Sequence, residues 1–426
     1  MKKVLIITYY WPPAGGPGVQ RWLNFVRYLR DFGVEPVLYI PENPHYPIVD
    51  KSFLEEIPND IKIYKGPIFE PYRLAGLVSR KKTNQISSGI IDTKNQSFLE
   101  KAMLWVRGNL FIPDARKFWV KPSVRYLSEI LRSEGIKTIT TTGPPHSVHL
   151  IGYRLKQEYR VQWLADFRDP WTSIGYHEKL KLTKAARQKH QRLERMVLNT
   201  ADRITVTSLT TKNEFEAVTS RPIEVITNGY QEIPVRKEEL DDKFTISHIG
   251  SLLTGRNPKN LWKVLSELIS ENVDFKNAVQ LRLAGIVSKD VLETLAGFDL
   301  EPYLKLEGYL SHSEALKVQR KSQILLLAEI DSKETKGIIP GKLFEYMAAG
   351  RPILGLGPKG WEVGTLIAET QSGKTFDYQE HSQIKKLLLE WFADYQQGKL
   401  TVTSVGIEKY SRRALTEKLV NNLPWE

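Results

Sequence analysis

The 426-residue chain contains no cysteine. This excludes a disulfide framework, a thiolate metal site and a cysteine nucleophile. No stretch approaches the ~20 apolar residues of a membrane span. There is no Asp-X-Asp pair and no histidine cluster at metal-ligand spacing, which disfavours a divalent ion held on carboxylates. A secretion signal is also disfavoured. The basic, apolar start breaks off at Thr8 and runs into Tyr9, Tyr10, Trp11 and Pro12-Pro13, which suits a first strand better. A hydrophobic fraction of 41% with 10% aromatics excludes global disorder.

Positive charge is abundant. There are 61 Lys+Arg against 49 Asp+Glu, a net charge of +12. Taken whole, that invites a nucleic-acid reading. Its distribution argues otherwise. Residues 1–230 hold 35 basic and 22 acidic residues, a net of +13, and residues 231–426 hold 26 and 27, a net of −1. The two halves are therefore expected to meet different partners.

Strand-like apolar runs alternate with amphipathic helical stretches in both halves, the pattern of α/β folding on parallel sheets. In the first half, strands are expected at Val4–Thr8, Val34–Ile40, Ile61–Tyr64, Thr138–Thr142, Gln162–Asp166, Arg203–Val206 and Glu224–Ile226. Helices are expected with Trp22, Phe25, Val26 and Leu29 on one face, and over Ser97–Gly108. Residues 231–243 are polar and aperiodic and read as a linker. The second half restarts with strands at Phe244–Ile249, Gln280–Ala284, Leu304–Leu306, Gln323–Leu327 and Pro352–Leu356. A last helix is expected over Ser411–Val420. Ser79–Ser97 reads as a mobile loop. The reading is two doubly wound Rossmann-like α/β domains, 1–230 and 244–410, joined by 231–243, with 411–426 a helix returning to the first domain.

The run Ile339-Pro340-Gly341-Lys342-Leu343-Phe344-Glu345-Tyr346-Met347-Ala348-Ala349-Gly350-Arg351-Pro352 reads as loop, helix and strand entry. Gly337 and Gly341 would free backbone N–H groups at a helix start, where the dipole favours an anion. Lys342 adds a positive charge suited to a diphosphate. Glu345 lies near the same face one turn on, able to accept both hydroxyls of a ribose. An ordinary capped helix with a surface Lys and Glu would show the same local pattern.

This segment resembles the donor-site signature of retaining GT-B glycosyltransferases, the bacterial "glycosyl transferases group one" family. The resemblance extends over nearly the whole chain and implies that the two domains face a cleft, with the acceptor bound by 1–230 and the donor by 244–410. It includes the loop Ala14 to Arg21, with Gly16 and Gly18, and Thr205 to Ser208. It also includes Ile226 to Gly229, and His248-Ile249-Gly250-Ser251 through Gly255-Arg256-Asn257-Pro258. It implies that Lys342 and Arg256 bind the donor diphosphate and that Glu345 holds the ribose. Gly16, Gly18, Gly250, Ser251 and Gly337 then complete the donor site. Two departures stand out. The residue eight positions before Glu345 is Gly337, where the family often has a second Glu touching the sugar. Ser251 stands where the family has Arg.

The Gly-rich loop lacks the third glycine of a dinucleotide fingerprint, which disfavours a dehydrogenase. A second cluster, Thr141 to His149 with Ala165 to Trp171, lies just past two expected strands. Here His146 is a candidate base or hydrogen-bond donor. Asp166 or Asp169 could orient an acceptor hydroxyl, and Arg168 between them could form a structural ion pair. Trp105 and Arg107, with Lys181, Lys184 and Arg187 from a second basic stretch, are candidates for an acceptor or an anionic membrane surface. Arg73, Arg80, Lys81, Lys82 and Lys179 extend these two stretches.

The expected activity is transfer of a hexosyl or N-acetylhexosaminyl group from a nucleotide-diphosphate sugar to a hydroxyl of a glycan or lipid-linked acceptor. The resemblance implies retention. No cofactor or metal is expected beyond the nucleotide sugar as co-substrate, because a helix start, Arg256 and Lys342 would stabilise the leaving diphosphate. His146, Asp169, Arg256 and Lys342 are the catalytic candidates. The expected location is cytoplasmic, peripheral on the inner face of the membrane, and the polysaccharides of the cell envelope are the expected product class. The rivals are a nucleotide-sugar epimerase or hydrolase of the same fold, and a basic nucleic-acid-binding protein.

Overall fold

The computed structural model describes residues 1–70, 98–173, 177, 180–232 and 238–425. The segment Ser79–Ser97, with Arg73, Arg80, Lys81, Lys82 and Lys179, lies outside the described residues. The chain divides into two compact units, one of Met1–Thr227 with Arg412–Glu426 and one of Asn228–Ser411.

The first unit is built on a parallel sheet. Its described strands are β1 (Lys2–Thr8), β2 (Val34–Glu42), β3 (Lys62–Pro67), β4 (Thr138–Gly143), β5 (Gln162–Phe167), β6 (Arg203–Val206) and β7 (Ile223–Val225). Their order is β3-β2-β1-β4-β5-β6-β7. Central strands covered on both faces need apolar residues without alternation. Val4 to Ile7 are accordingly all buried. The helix Pro17–Leu29 lays Trp22, Phe25, Val26 and Leu29 on the sheet. Leu415, Leu419 and Leu423, from the end of the chain, join that same core. The helix Arg412–Asn421 packs against Pro17–Leu29.

The second unit carries β8 (Phe244–Ile249), β9 (Val279–Ala284), β10 (Leu304–Gly308), β11 (Ile324–Ala328), β12 (Ile353–Leu356) and β13 (Gly373–Phe376), in the order β10-β9-β8-β11-β12-β13. All their pairings are parallel. Strand β13 escapes sequence reading because Gly-Lys-Thr-Phe is a short edge strand, nowhere fully buried and without an apolar run. Asp241, inside the polar stretch read as a linker, is tied into this unit. It accepts from Thr245 at 3.0 Å and pairs with buried Arg282 at 2.7 Å.

Each sheet reverses its winding once, between β1 and β4 in the first unit and between β8 and β11 in the second. Loops leaving the carboxyl ends of strands diverge at such a point and leave a crevice where ligands bind. Among the described residues no helix is long and apolar enough to cross a membrane.

Candidate donor site and the first-unit cluster

The second-unit site grows from the ends of β8 and β11. Strand β8 ends in His248-Ile249, and Gly250 follows with φ +122°. That conformation suits glycine alone. A Cβ on Gly250 would sit 2.9 Å from the Lys342 ammonium. The Gly250 N–H is already bonded to the carbonyl of Ala284 at 2.7 Å. Gly250 therefore leaves clearance for the Lys342 ammonium. Ser251 is exposed, and Gly337 is half-buried in the loop before the next helix.

That helix, Lys342–Ala348, buries Leu343, Phe344, Tyr346 and Met347. Lys342 and Glu345, three apart, share the other face and are half-buried. With only seven residues, the helix contributes little dipole of its own, so the local positive charge rests on side chains. Gly350 adopts φ +65° just past the helix. The neighbouring Arg351 is structural: it is buried and donates to the carbonyls of Ser322 and Gln323 at 2.8 and 3.1 Å.

Lys342 Nζ lies 3.0 Å from the carbonyl oxygen of Ile249 and 3.2 Å from His248 Nε2. Burial, with Arg256 adding repulsion, pushes its pKa down to about 7, against partial support from Glu329 and Glu345. The positive charge read from the sequence is thus carried by a group that titrates near neutrality. Arg256 donates through Nε and Nη2 to both oxygens of Glu329, at 2.9 and 3.1 Å. Glu329 follows directly on β11 and is fully buried, while a third of the Arg256 side chain stays exposed. The Glu345 carboxylate is held by His312 Nε2 at 3.0 Å and Gln319 Nε2 at 3.1 Å.

His248, His312, Gln319 and Glu329 carried no role in the sequence reading. The one signal for Glu329 was its place: a lone carboxylate directly after a fully apolar strand.

In the first unit, Gly16 caps the helix Pro17–Leu29 at φ +103° without a side-chain cap. A Cβ on Gly18 would collide with the guanidinium of Arg168, so that clearance is filled by protein where a ligand was expected. Arg168 forms no ion pair with either flanking aspartate. It donates to the carbonyls of Gly143, at 3.2 Å, and Pro144.

Asp166 is fully buried and paired with Arg21 at 3.0 Å. It also accepts from Trp22, Thr142 and Thr205, each at 2.8 Å. Four donors saturate the carboxylate, which removes it as a candidate for orienting an acceptor. Burial alone would raise its pKa, but Arg21 and the other donors hold it below the usual range. Asp169 is half-buried. Burial pushes its pKa up and Arg168 pulls it down, with a net rise.

His146 is buried and stacks on Trp171 at 4.9 Å, and among the described residues neither ring nitrogen has a hydrogen-bond partner. Burial, and then the neighbouring His149, His177, Arg168 and His190, push its pKa far below the ordinary value, which keeps the ring neutral. His149 instead bonds Thr141 at 2.9 Å and stacks on Phe167.

Trp105 is 42% exposed, and Lys181, Lys184 and Arg187 are exposed. Arg107 is half-buried. Their two segments meet. Asn109 donates to the carbonyl of Lys181 at 3.3 Å and accepts from the N–H of Thr183 at 2.8 Å. Among the described residues no group of three His, Asp or Glu side chains is placed to hold a metal ion.

Neither protein-family models nor curated protein sequences gave a match to the chain. Solved structures gave many. The apo lipopolysaccharide outer core galactosyltransferase WaaB is 14% identical, with a TM-score of 0.58, over 99% of this chain and 98% of that one. The fold is that of the GT-B glycosyltransferases. A mutant of S. aureus TarM, solved with Fondaparinux, alpha-GlcNAc-glycerol and UDP, is 12% identical. Its TM-score is 0.58, over 100% of both chains. A putative UDP-N-acetylglucosamine 2-epimerase from Listeria monocytogenes is 13% identical, with a TM-score of 0.54, over 99% of this chain and 95% of that one. The GT-B fold thus serves more than one reaction on sugar nucleotides, and the choice among them rests on the side chains.

Proposed function

We propose that this chain transfers a glycosyl group from a nucleotide-diphosphate sugar to a hydroxyl of a glycan or lipid-linked acceptor. The observation that carries the reading is the meeting of Lys342, Arg256 and Glu345 at the β8/β11 switch point. Two cations and a carboxylate there match a diphosphate and a ribose in charge and hydrogen-bonding type.

In this reading Lys342 and the exposed edge of Arg256 stabilise the charge that develops on the leaving diphosphate. They do so without a metal ion. Glu345, held by His312 and Gln319, accepts from the ribose hydroxyls. Departure of the diphosphate leaves an oxocarbenium-like centre. The resemblance to the retaining enzymes supports attack by the acceptor on the face the diphosphate leaves. The first unit supplies the acceptor side. Its neutral His146, with no partner at either ring nitrogen among the described residues, can exchange a hydrogen bond with a sugar hydroxyl, and Asp169 lies beyond the same strand ends. The basic surface near Trp105, Arg107, Lys181, Lys184 and Arg187 supports a lipid-linked acceptor at an anionic membrane face on the cytoplasmic side. Sedimentation with anionic vesicles at low salt tests that part, and no sedimentation refutes it.

The site is tested by Lys342→Ala and Glu345→Ala. Both should weaken nucleoside-diphosphate binding by calorimetry while the protein stays folded. Unchanged affinity in both refutes the assignment. The epimerase likeness keeps one second reading: conversion of the nucleotide sugar itself. Product analysis with and without acceptor separates the two, because only transfer requires an acceptor.

A further inference from the structure

Lys342 is held by a socket that the end of β8 builds for it. An ammonium group has three N–H donors and no acceptor. One donor meets the Ile249 carbonyl oxygen at 3.0 Å and another meets His248 Nε2 at 3.2 Å. Gly250 leaves the space beside Nζ open, since a Cβ there would lie 2.9 Å away. Tyr346, one helical turn after Lys342, grips the same strand end by accepting from the Ile249 N–H at 3.0 Å. Among the described residues, two of the three ammonium donors are thus spent on the protein and one remains.

The histidine can receive the lysine in only one tautomer. Its Nδ1 lies 3.0 Å from the carbonyl oxygen of Leu326, which only accepts. Nδ1 must therefore carry the hydrogen, and Nε2 presents its lone pair to Lys342. His248 is completely buried. A buried imidazole beside two cations stays neutral, and its pKa lies well below the ordinary value for that reason.

We infer that His248 is a positioning residue: fixed as the Nδ1–H tautomer by Leu326, it accepts from Lys342 and leaves one ammonium donor for a diphosphate oxygen. This rests on the proposed donor site. It adds that the useful geometry of Lys342 is set from strand β8. The charged groups around the ammonium are Arg256 in the turn after β8, Glu329 after β11 and Glu345 on the lysine's own helix.

Asparagine and glutamine at position 248 separate positioning from mere structure. His248→Asn can keep a donor near Leu326 but has no acceptor at the ε position. His248→Gln can keep an acceptor for Lys342 but loses the donor to Leu326. A purely structural His248 would tolerate Asn better than Gln. Positioning predicts the reverse for binding of inorganic pyrophosphate by calorimetry: roughly tenfold weaker with Asn, from loss of a hydrogen bond to a charged group, and largely restored with Gln.

Nitrogen NMR of the ligand-free protein gives a readout independent of any ligand. Nε2 of His248 should appear unprotonated and hydrogen-bonded in the wild type, and its signal should move in Lys342→Met. A protonated Nε2, or a signal indifferent to Lys342→Met, overturns the inference. The NMR signature together with unchanged pyrophosphate affinity in Lys342→Met would overturn the donor-site reading instead, and the ligand half of the inference with it.

Discussion

The guanidinium of Arg256 and the carboxylate of Glu329 meet through two hydrogen bonds of 2.9 and 3.1 Å. The carboxylate is sealed in the protein, and the guanidinium keeps one edge toward solvent. A bidentate pair of this kind fixes direction as well as charge. Glu329→Gln keeps the shape and removes the charge. Coulomb attraction alone would then favour an incoming diphosphate. Loss of direction at Arg256, together with a further fall in the Lys342 pKa once its negative neighbour is gone, opposes it. The expected result is roughly tenfold weaker pyrophosphate binding by calorimetry. Tighter binding would show that net field, and not placement, controls the site.

Binding should depend on pH through Lys342, whose pKa is pushed down to about 7. A diphosphate favours the ammonium form, so it raises that pKa and takes up a proton on binding. Below about pH 7 the lysine is already charged and its contribution is complete. As pH rises above that value, affinity should fall, by up to about tenfold per unit. Lys342→Arg cannot lose its charge in this range and should flatten the profile. Titrations of nucleoside diphosphate against both proteins across that window test the point. Parallel profiles would exclude Lys342 as the titrating group.

Asp166→Asn should behave as a stability lesion. Asp166 and Arg21 form an ion pair with neither side chain exposed, and Arg21 also donates to the carbonyl of Thr227 at 2.6 Å. Breaking one side of such a pair strands the other charge, at a cost of about 3–5 kcal/mol. Chemical denaturation should show a loss of that size. A folded variant of normal stability with impaired acceptor use would instead restore the catalytic reading of Asp166.

Acid should destabilise the first unit. His146, His149, His177 and His190 are buried, and burial lowers the pKa of each, to about 3 for His149 and His177. A histidine with a depressed folded pKa binds fewer protons than its unfolded counterpart below the ordinary value of about 6.5. Stability is therefore full above that pH and declines as pH falls from there toward about 3. The slope is up to about 1.4 kcal/mol per pH unit for each histidine. Melting curves should show the decline beginning near pH 6.5. His149→Phe, a ring that stacks without a proton to gain, should soften it. A flat melting temperature down to about pH 4 would contradict this account.

Much of the fold was legible because parallel strands announce themselves. Buried on both faces, they require unbroken apolar runs such as Val4 to Ile7 and Ile324 to Ala328. The helix Pro17–Leu29 shows the helical period as plainly. Strand β13 left no such mark, because an edge strand need not be apolar. In the site, Lys342, Glu345 and Arg256 stood out as charged residues at loop and helix starts. His248 and Glu329 did not. One is second to last in a strand and the other follows one, and neither belongs to any local pattern that demands a charge or an imidazole.

Two α/β halves of unequal charge, and a lysine and a carboxylate on one helix face, follow from the residues alone. Those are local facts, set by period, spacing and composition. What these groups are was set by folding. It made Lys342 a titrating ammonium in a socket from β8, Asp166 a saturated structural hub and Gly18 a seat for Arg168. Each outcome depends on burial and on a partner far along the chain: His248 for Lys342, Arg21 for Asp166, Arg168 for Gly18. Desolvation and hydrogen-bond geometry act through space, so no local window of residues contains them.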